Sequence, residues 1–550
     1  MRTDLSVTTI PKSPQRKVSS VPPRPLNGTR LAAEPAPAPL GGKPSGRVQI
    51  AAALAARFLP EGIVLLVVAL LATYNLQYYP RIWFDEGMNL VAARDFAEQG
   101  RYGIQYAEGF HLFDFTLSTG PTVIVPVAAA FKVFGVGLVQ ARAVSAVYLL
   151  VAALGLYLNA KYLYGRTVGL LAILAFAALT QVGAFAHGRN VVGELAAIAF
   201  VLWGAFALIR ARIMSSAPLY VMAGFLLGLA ILTKNQFIIL APVLVAVWML
   251  GRGRATALSL GQVALLLAAL SIPMLAWYLC WAVFLGPDVF LDRMRSMAEI
   301  AQHSSYVAPL SVASRSLNVL ASSGVIACCL PGLLYVWLLA LREEWYRQPE
   351  RIFLPTFAAV WLGWFLVMSI GYARYAAPVA LISTIFVAKF ADDLVRHWMP
   401  IGSPLSPTAV LAKPLGAMVL AVLSLASLTG ISQNALAVVR ANDDSPQRFA
   451  AMVTEQVEPG AIVDSAEWEI KFLTRAVFSH PSVPLVNDAV AVVYLGKPMQ
   501  SLDSYQPSQS ASYVVDGPFS KLVGLYRGSL SRGLLQPVAS YGEYDLYRRR

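Results

Sequence analysis

Residues 62–89, GIVLLVVALLATYNLQYYPRIWFDEGMN, decide the fold, because an apolar run gives way there to an acidic pair. The run ends near Tyr79 and has about the length that crosses the hydrocarbon core of a bilayer. Asp85 and Glu86 follow at the expected membrane surface, where buried carboxylates are costly and usually functional. The stretch predicts a membrane span followed by a candidate catalytic carboxylate. A plainer reading is that both acids cap a helix starting near Gly87.

The composition places the whole chain in the membrane class. Of its 550 residues, 57% are hydrophobic and only 13% are charged, unlike a soluble domain. Apolar runs long enough to span a bilayer recur along the sequence. The predicted spans are 62–79, 139–160, 167–186, 193–210, 217–233, 236–251, 256–286, 315–341, 353–370, 375–395 and 412–432. We therefore expect a mainly α, polytopic helical membrane protein with about eleven transmembrane helices.

The apolar run 121–135 is about 15 residues, too short to cross comfortably, and it contains Pro121, Pro126 and Lys132. If it does not cross, basic residues fall in every cytoplasmic loop, as positive-inside topology requires. These loop residues are Lys161, Arg166, Arg210, Arg212, Arg252, Arg254, Arg342, Arg347, Arg351, Arg396 and Lys413. A crossing would put all of them outside. We therefore predict a re-entrant or interfacial helix at 121–135, a cytoplasmic N-terminus and an extracytoplasmic C-terminus.

The sequence divides into three parts. Residues 1–57 are rich in Pro, Ser, Ala, Arg and Lys, which predicts a disordered basic cytoplasmic tail. Residues 58–434 form the membrane domain, with an outer loop at 80–138 that carries interfacial helices. Residues 435–550 contain the strand-like segments AIVDSA, VPLVND, SYVVDG and EYDLYRR, and predict a small extracytoplasmic α/β domain. The net charge of +13 is explained by the cytoplasmic loops and does not indicate a nucleic-acid partner.

The predicted topology collects polar side chains from five separated segments at the outer face. They are Arg81, Asp85, Glu86, His111, Asp114, His187, Arg189, Asn190, Glu194, Lys234, Asn235, Asp288, His303, Tyr306, Arg374 and Tyr375. A carboxylate can deprotonate an acceptor hydroxyl, and cations can stabilise a phosphate leaving group. The set therefore suits glycosyl transfer. In the plainer readings, Arg189 and Glu194 form a local ion pair, and Lys234 and Arg374 extend to the lipid headgroups.

Five motifs in order resemble a known family over roughly residues 60–400. They are FDEGMNLVAARDFAEQGRY with Asp85, GPTVIVPVAAAFKVFGVGLVQAR with Arg142, GRNVVGELAA with Glu194, GLAILTK with Lys234, and ARYAAP with Arg374. Together they resemble the glycosyltransferase family 39-like branch of the GT-C superfamily, which includes protein O-mannosyltransferases and aminoarabinose transferases. The fold expected from this resemblance is a GT-C membrane domain.

The resemblance implies a membrane enzyme that takes a sugar from a polyprenyl-phosphate-linked donor. It would transfer the sugar with inversion to an extracytoplasmic hydroxyl of a lipid such as lipopolysaccharide, a cell-envelope glycan or a protein. Asp85 maps onto the base or acceptor anchor, and Glu194 onto a second acid that is usually Asp in the family. The candidates for binding the donor phosphate are Arg189, Lys234, Arg374 and Arg81. Further site candidates are Glu86, His111, Asn190, Asn235, Tyr375, His303 and Tyr306.

Other functions stay open at this point. The sequence has no Walker loop, Rossmann fingerprint or HExxH motif, so nucleotide-driven chemistry lacks support. No cofactor is implied, and a divalent metal at the acids stays open. A transporter or flippase of lipid-linked sugars needs charges inside the bilayer, and the predicted spans contain few. A polysaccharide polymerase or ligase would also use lipid-linked donors. In each case the expected location is the inner (plasma) membrane, in contact with its lipids.

Overall fold

The computed structural model describes residues 47–113, 119–253, 257–303, 312–398, 407–479, 485 and 505–550. Residues 60–550 form one compact unit. Most of the predicted tail at 1–57 lies outside the described residues. The α-helices between residues 47 and 440 are α1 Arg47–Thr73, α2 Phe84–Gln99, α3 Pro121–Phe134, α4 Leu138–Tyr164, α5 Arg166–Ala178, α6 Ala184–His187, α7 Gly193–Met214, α8 Ala217–Thr233, α9 Leu240–Gly251, α10 Leu260–Leu285, α11 Pro287–His303, α12 Ala313–Ser322, α13 Leu330–Arg342, α14 Pro349–Val367, α15 Ala373–Trp398 and α16 Pro407–Arg440.

Every predicted span overlaps one or more of these helices, and the helical fold class is confirmed. Within the described part of the chain, six helices are long and apolar enough to cross a membrane, and five shorter ones are also apolar. Helix α3 has 14 residues. At 1.5 Å per residue it extends about 21 Å, less than a hydrocarbon core of about 30 Å. The interfacial placement of α3 stays a prediction, because α5 and α9, which fall on predicted spans, are no longer than α3.

The predicted span 62–79 passes the end of α1 at Thr73, and two other predicted spans contain a break, because the apolar pattern does not show where a helix ends. The run 315–341 is divided after α12, where Gly324 has a φ of 74° and a π-helical turn, Val325–Cys329, leads into α13. The run 167–186 is interrupted where α5 ends at Ala178. There the side chain of Asn434 on α16 donates to the carbonyls of Ala177 and Leu179, at 2.9 and 3.0 Å. The amide of Asn434 therefore takes the place of the backbone N–H donors that a further turn of α5 would supply.

The predicted α/β domain is present at the C-terminus. Its strands are β3 Ile462–Ser465, β4 Val477–Ser479, β5 Tyr513–Asp516, β6 Leu535–Tyr541 and β7 Tyr544–Arg549, in the order β4-β3-β5-β7-β6. β3 pairs in parallel with β4 and β5, while β7 is antiparallel to β5 and β6. Its helices are α17 Ser445–Gln456, α18 Trp468–Leu473, α19 Pro518–Val523 and α20 Arg527–Ser531.

Three of the four strand-like segments are confirmed as β3, β5 and β7. The fourth, VPLVND, lies outside the described residues apart from Leu485, and the sequence missed β4 and β6. A hairpin of β1 Gly103–Tyr106 and β2 Gly109–Leu112 follows α2. Helices α2 and α3 share one hydrophobic core with the C-terminal domain. The outer loop and the sheet domain therefore pack against each other around this shared core.

Candidate active site

Asp85 lies in the first turn of α2 and faces α15. The Nη1 atom of Arg374 donates to Oδ2 of Asp85 at 2.5 Å. The Asp85 side chain is 23% exposed and that of Arg374 is 11% exposed. No side-chain capping bond is formed at the start of α2. Asp85 is therefore a half-buried carboxylate paired with a cation from a distant part of the chain, which the capping interpretation does not predict.

Glu194, in the first turn of α7, links two cations. Its Oε1 atom lies 3.4 Å from Nε of Arg374 and 3.5 Å from Nζ of Lys234. The Glu194 side chain is 3% exposed and that of Lys234 is 8% exposed, so Lys234 does not reach outward to headgroups. Within the described residues neither carboxylate oxygen of Glu194 has a hydrogen-bond partner. Asp85, Arg374, Glu194 and Lys234 form a row of alternating charges, the charge cluster.

Close backbone approach brings the segments of the cluster together. The N–H of Gly120, just before α3, donates to the carbonyl of Thr233 at 2.9 Å. A Cβ on Gly120 would overlap the carbonyl of Leu232. A Cβ on Gly193 would lie 2.9 Å from the carbonyl of Thr233. Because glycine alone fits at both contacts, the end of α8 is held against the starts of α3 and α7. This packing places Lys234 beside Glu194.

Three aromatic rings surround Arg374. Its guanidinium carbon lies 6.0 Å from the ring centre of Trp83, 5.1 Å from that of Tyr372 and 5.2 Å from that of Tyr375. Such rings attract a cation and shield it from water. Of the three, only Tyr375 was predicted from the sequence as a site residue. Trp83 and Tyr372 could have been found in the segments WFDE and GYARY, where aromatic residues flank Asp85 and Arg374.

Glu86 takes a different place from Asp85. Its two carboxylate oxygens accept from Nε and Nη2 of Arg142 on α4, at 2.8 and 2.6 Å. Both side chains are fully buried. Glu86 also accepts from the N–H of Val191, and Arg142 donates to the carbonyl of Leu76. With these contacts Glu86 fastens α2 to α4 and to the loop before α7, and it points away from the charge cluster.

Two predicted phosphate ligands are used elsewhere. The guanidinium of Arg189 donates to the carbonyls of Leu71, at 2.9 Å, and Tyr74, so it holds the C-terminal end of α1. The local ion pair between Arg189 and Glu194 is not formed. Arg81 contacts Oε2 of Glu543 at 2.5 Å and Oδ2 of Asp443 at 3.4 Å.

The remaining candidates divide between places near the cluster and places away from it. Asn190 is buried next to Arg189, and Asn235 follows Lys234 in the chain. His111 lies on the exposed side of β2, where its ring packs on Tyr106 at 5.1 Å. The side chain of His303, together with all of Asp114 and Tyr306, lies outside the described residues. Among the residues that are described, no group of three His, Cys, Asp or Glu side chains is placed to hold a metal ion.

His187 also belongs to this end of the helices. Its Nε2 atom lies 2.8 Å from the carbonyl oxygen of Gln181. Burial lowers the pKa of His187 below its usual value, and the positive charge of Arg374 acts in the same direction. The neutral imidazole therefore adds no charge to the cluster at neutral pH.

Comparison with known proteins identifies one matching family model. Residues 119–281 match the family model described as dolichyl-phosphate-mannose-protein mannosyltransferase. This segment contains Glu194 and Lys234, whereas Asp85 and Arg374 lie outside it. No curated protein sequence matches the chain.

Two solved structures share the fold. ArnT from Cupriavidus metallidurans, in a crystal structure bound to undecaprenyl phosphate, superposes with a TM-score of 0.60 at 14% identity, covering 90% of this chain and 98% of that one. The oligosaccharyltransferase AglB from Archaeoglobus fulgidus, in complex with an inhibitory peptide and a dolichol-phosphate, gives a TM-score of 0.52 at 13% identity. The alignment covers 89% of this chain and 74% of AglB. The resemblance inferred from the motifs is confirmed: the chain has the fold of the GT-C superfamily glycosyltransferases, and its central segment matches their protein mannosyltransferase family.

Proposed function

We propose that the protein is a membrane glycosyltransferase. It moves a sugar, with inversion, from a polyprenyl-phosphate-linked donor to an acceptor hydroxyl of a lipid, a glycan or a protein. The observation that carries this proposal is the charge cluster, in which two carboxylates and two cations from four segments meet at one end of the helices. ArnT and AglB, which share the fold, are bound to polyprenyl phosphates in their structures.

The proposed reaction is a single displacement. Asp85 accepts the proton of the acceptor hydroxyl, whose oxygen attacks the anomeric carbon as the bond to the phosphate oxygen breaks. The electron pair of that bond stays with the phosphate, and Lys234 and Arg374 stabilise its charge. One displacement inverts the anomeric configuration.

Arg374 connects donor binding to the base in this scheme. Its guanidinium is bound to Asp85 at 2.5 Å. A donor phosphate competes for the same guanidinium. Donor binding therefore leaves the Asp85 carboxylate available to the acceptor hydroxyl. Glu194 is assigned a positioning role, because it contacts both cations and is 3% exposed.

We also propose that the charge cluster faces the extracytoplasmic side of the inner membrane. Support comes from the opposite ends of the helices, where Lys161 lies in the last turn of α4, Arg166 begins α5, and Arg210 and Arg212 lie near the end of α7. Basic residues favour the cytoplasmic side.

The distribution of ion pairs supports an enzyme over a flippase. Away from the cluster, Arg166 pairs with Glu61 at 2.5 Å, and Lys389 pairs with Asp393 at 2.6 Å. Arg166 begins α5, and Lys389 and Asp393 lie in the C-terminal half of α15, away from the helix ends that carry the charge cluster. A path for a lipid-linked sugar headgroup would require polar groups at mid-membrane depth.

The proposal is tested with purified protein in lipid nanodiscs. Radiolabelled polyprenyl-phosphate monosaccharides are supplied with lipopolysaccharide, membrane lipid or peptide acceptors, and labelled product is counted. Asp85→Asn should reduce the transfer rate by about 10²–10⁴-fold, the usual contribution of a positioned base. Glu98→Gln is the matched control, since Glu98 is an acid of the same helix that pairs with Arg475 at 2.8 Å.

Three results would contradict the proposal. Near-normal transfer by a folded Asp85→Asn variant would exclude Asp85 as the base. Movement of labelled donor across vesicles without product would identify a flippase. Transfer from oligosaccharide donors alone would identify a polymerase or ligase.

A further inference from the structure

Helix α2 carries Asp85 and is held between two partners. The side chains of Glu86 and Asn89 face the membrane helices: Glu86 binds Arg142, and the amide of Asn89 donates to the carbonyl of Val191 at 2.7 Å. Residues 87, 94 and 98 lie on another stripe, since positions seven and eleven residues apart share a helix face. This second stripe contacts the C-terminal sheet domain.

The contact between α2 and α18 is made at backbone distance. A Cβ on Gly87 would overlap the backbone N of Glu469 and would lie 2.5 Å from the carbonyl carbon of Trp468. One turn earlier, the ring of Phe84 stacks on that of Phe519, with centroids 4.1 Å apart. Such close packing transmits any shift of α18 to the first turn of α2, where Asp85 lies.

Arg94 fastens the same face of α2. Its Nη1 atom lies 3.0 Å from the carbonyl oxygen of Lys471 and 3.3 Å from those of Phe472 and Thr474. These carbonyls lie at the C-terminal end of α18, where the last carbonyls of a helix have no partner inside it. A buried guanidinium is a favourable partner for them. The Nε atom of Arg94 donates to Oδ1 of Asp95 at 3.2 Å. Arg94 is 8% exposed, and water does not replace it readily.

We infer that the C-terminal sheet domain is a positioning part of the transfer site, and that Arg94 is the residue through which it fixes α2 and keeps Asp85 opposite Arg374. The inference rests on the proposed function. Arg94 is nine residues from Asp85, about 13 Å along the helix. A rotation of α2 about its Glu86 anchor would displace the carboxylate, and a misplacement of about 1 Å can cost about 10²-fold in rate.

The experiment compares Arg94→Gln with Arg475→Gln in the full-length protein. Arg475 crosses the same boundary to Glu98 but is 70% exposed, and exposed pairs contribute little. Arg94→Gln should lower kcat at least tenfold with the donor KM within about twofold, because Lys234 and Arg374 are not on α2. Arg94→Lys should have an intermediate kcat, because its ammonium keeps the positive charge but lacks the planar set of donors of the guanidinium. Arg475→Gln should match the wild type.

A second readout does not depend on activity. Hydrogen exchange of the amides in residues 84–99 should be faster in Arg94→Gln and unchanged in Arg475→Gln. If Arg94→Gln does not yield folded protein, Gly87→Ala disturbs the same contact from the other side, and it should show the same loss of kcat and faster exchange in α2.

The outcomes separate the two proposals. Equal kcat in Arg94→Gln and Arg475→Gln, a loss confined to donor KM, or a loss of kcat without faster exchange in α2 would overturn the positioning role. If the wild type transfers sugar from no donor, the proposed function fails. The exchange measurement then still shows whether Arg94 fixes α2.

Discussion

Glu194 offers the sharpest test of the charge cluster, because its removal should affect stability and donor binding in opposite directions. Its Oε1 atom lies 3.4 Å from Nε of Arg374 and 3.5 Å from Nζ of Lys234. Glu194→Gln removes the carboxylate between these two cations, so that Lys234 loses its paired acid while Arg374 keeps only Asp85. Breaking a buried ion pair on one side costs about 3–5 kcal/mol. We expect the lower end, about 3 kcal/mol, since both contacts are long.

The same substitution should tighten binding of the donor phosphate. A phosphate held by Lys234 and Arg374 would lie roughly 6 Å from Glu194, and its repulsion from the carboxylate is about 2.8 kcal/mol at an effective dielectric of 20 and about 0.7 kcal/mol at 80. Removing the repulsion predicts an affinity gain of about 3- to 100-fold. The phosphate would also replace the missing counter-charge, so the lipid should restore much of the lost stability.

The assay measures binding of labelled undecaprenyl phosphate in nanodiscs, together with thermal unfolding with and without the lipid. Glu194→Gln with Lys234→Gln is the control, because it restores the charge balance but removes one phosphate ligand, and the affinity gain should disappear. A folded Glu194→Gln protein that binds the lipid more weakly than the wild type would refute the reasoning. It would mean that the phosphate is not bound between these two cations.

Two further outcomes are expected. Burial lowers the pKa of Lys471 to about 7, so the unfolded chain binds more protons than the folded one between about pH 7 and 10.5, and stability rises with pH there. Thermal unfolding should therefore show a smaller increase of stability with pH in Lys471→Met than in the wild type. An equal dependence of stability on pH in both proteins would contradict this. The orientation is tested with Thr167→Cys, at the exposed start of α5, in a protein without the native cysteines. This cysteine should react with a membrane-impermeant maleimide only in inside-out vesicles. Labelling in right-side-out vesicles would reverse the proposed topology.

The helical frame could be predicted because each span carries its own hydropathy signal. The break after Ala178 could not, since it depends on Asn434, which is more than 250 residues away in sequence. The strands β3, β5 and β7 were predicted because short apolar runs alternate there with helix-like or loop stretches. β4 was missed because it has only three residues, too few to show a period.

The site could be predicted only in part, because the sequence does not show which group each cation contacts. Arg189, Lys234 and Arg374, with Arg81 behind them, were the predicted phosphate ligands on the outer face. In the structure Arg189 binds carbonyls of α1, and Arg81 binds acids near the sheet domain. Lys234 and Arg374 meet at Glu194. A basic residue near the surface can bind a carbonyl, an acid or a ligand with similar ease, so only the fold distinguishes them.

Exposure separates the three acids of the site into different roles. Successive residues of an α-helix point about 100° apart, so Asp85 and Glu86 face different neighbours although they are adjacent. Glu86 is fully buried and both its oxygens are bound by Arg142. Glu194 is 3% exposed behind two cations. Asp85 is 23% exposed, and a base must be within hydrogen-bond reach of the hydroxyl that it deprotonates. Of the three, Asp85 is therefore the acid that an acceptor can reach, while the other two hold the helix and the cations around it.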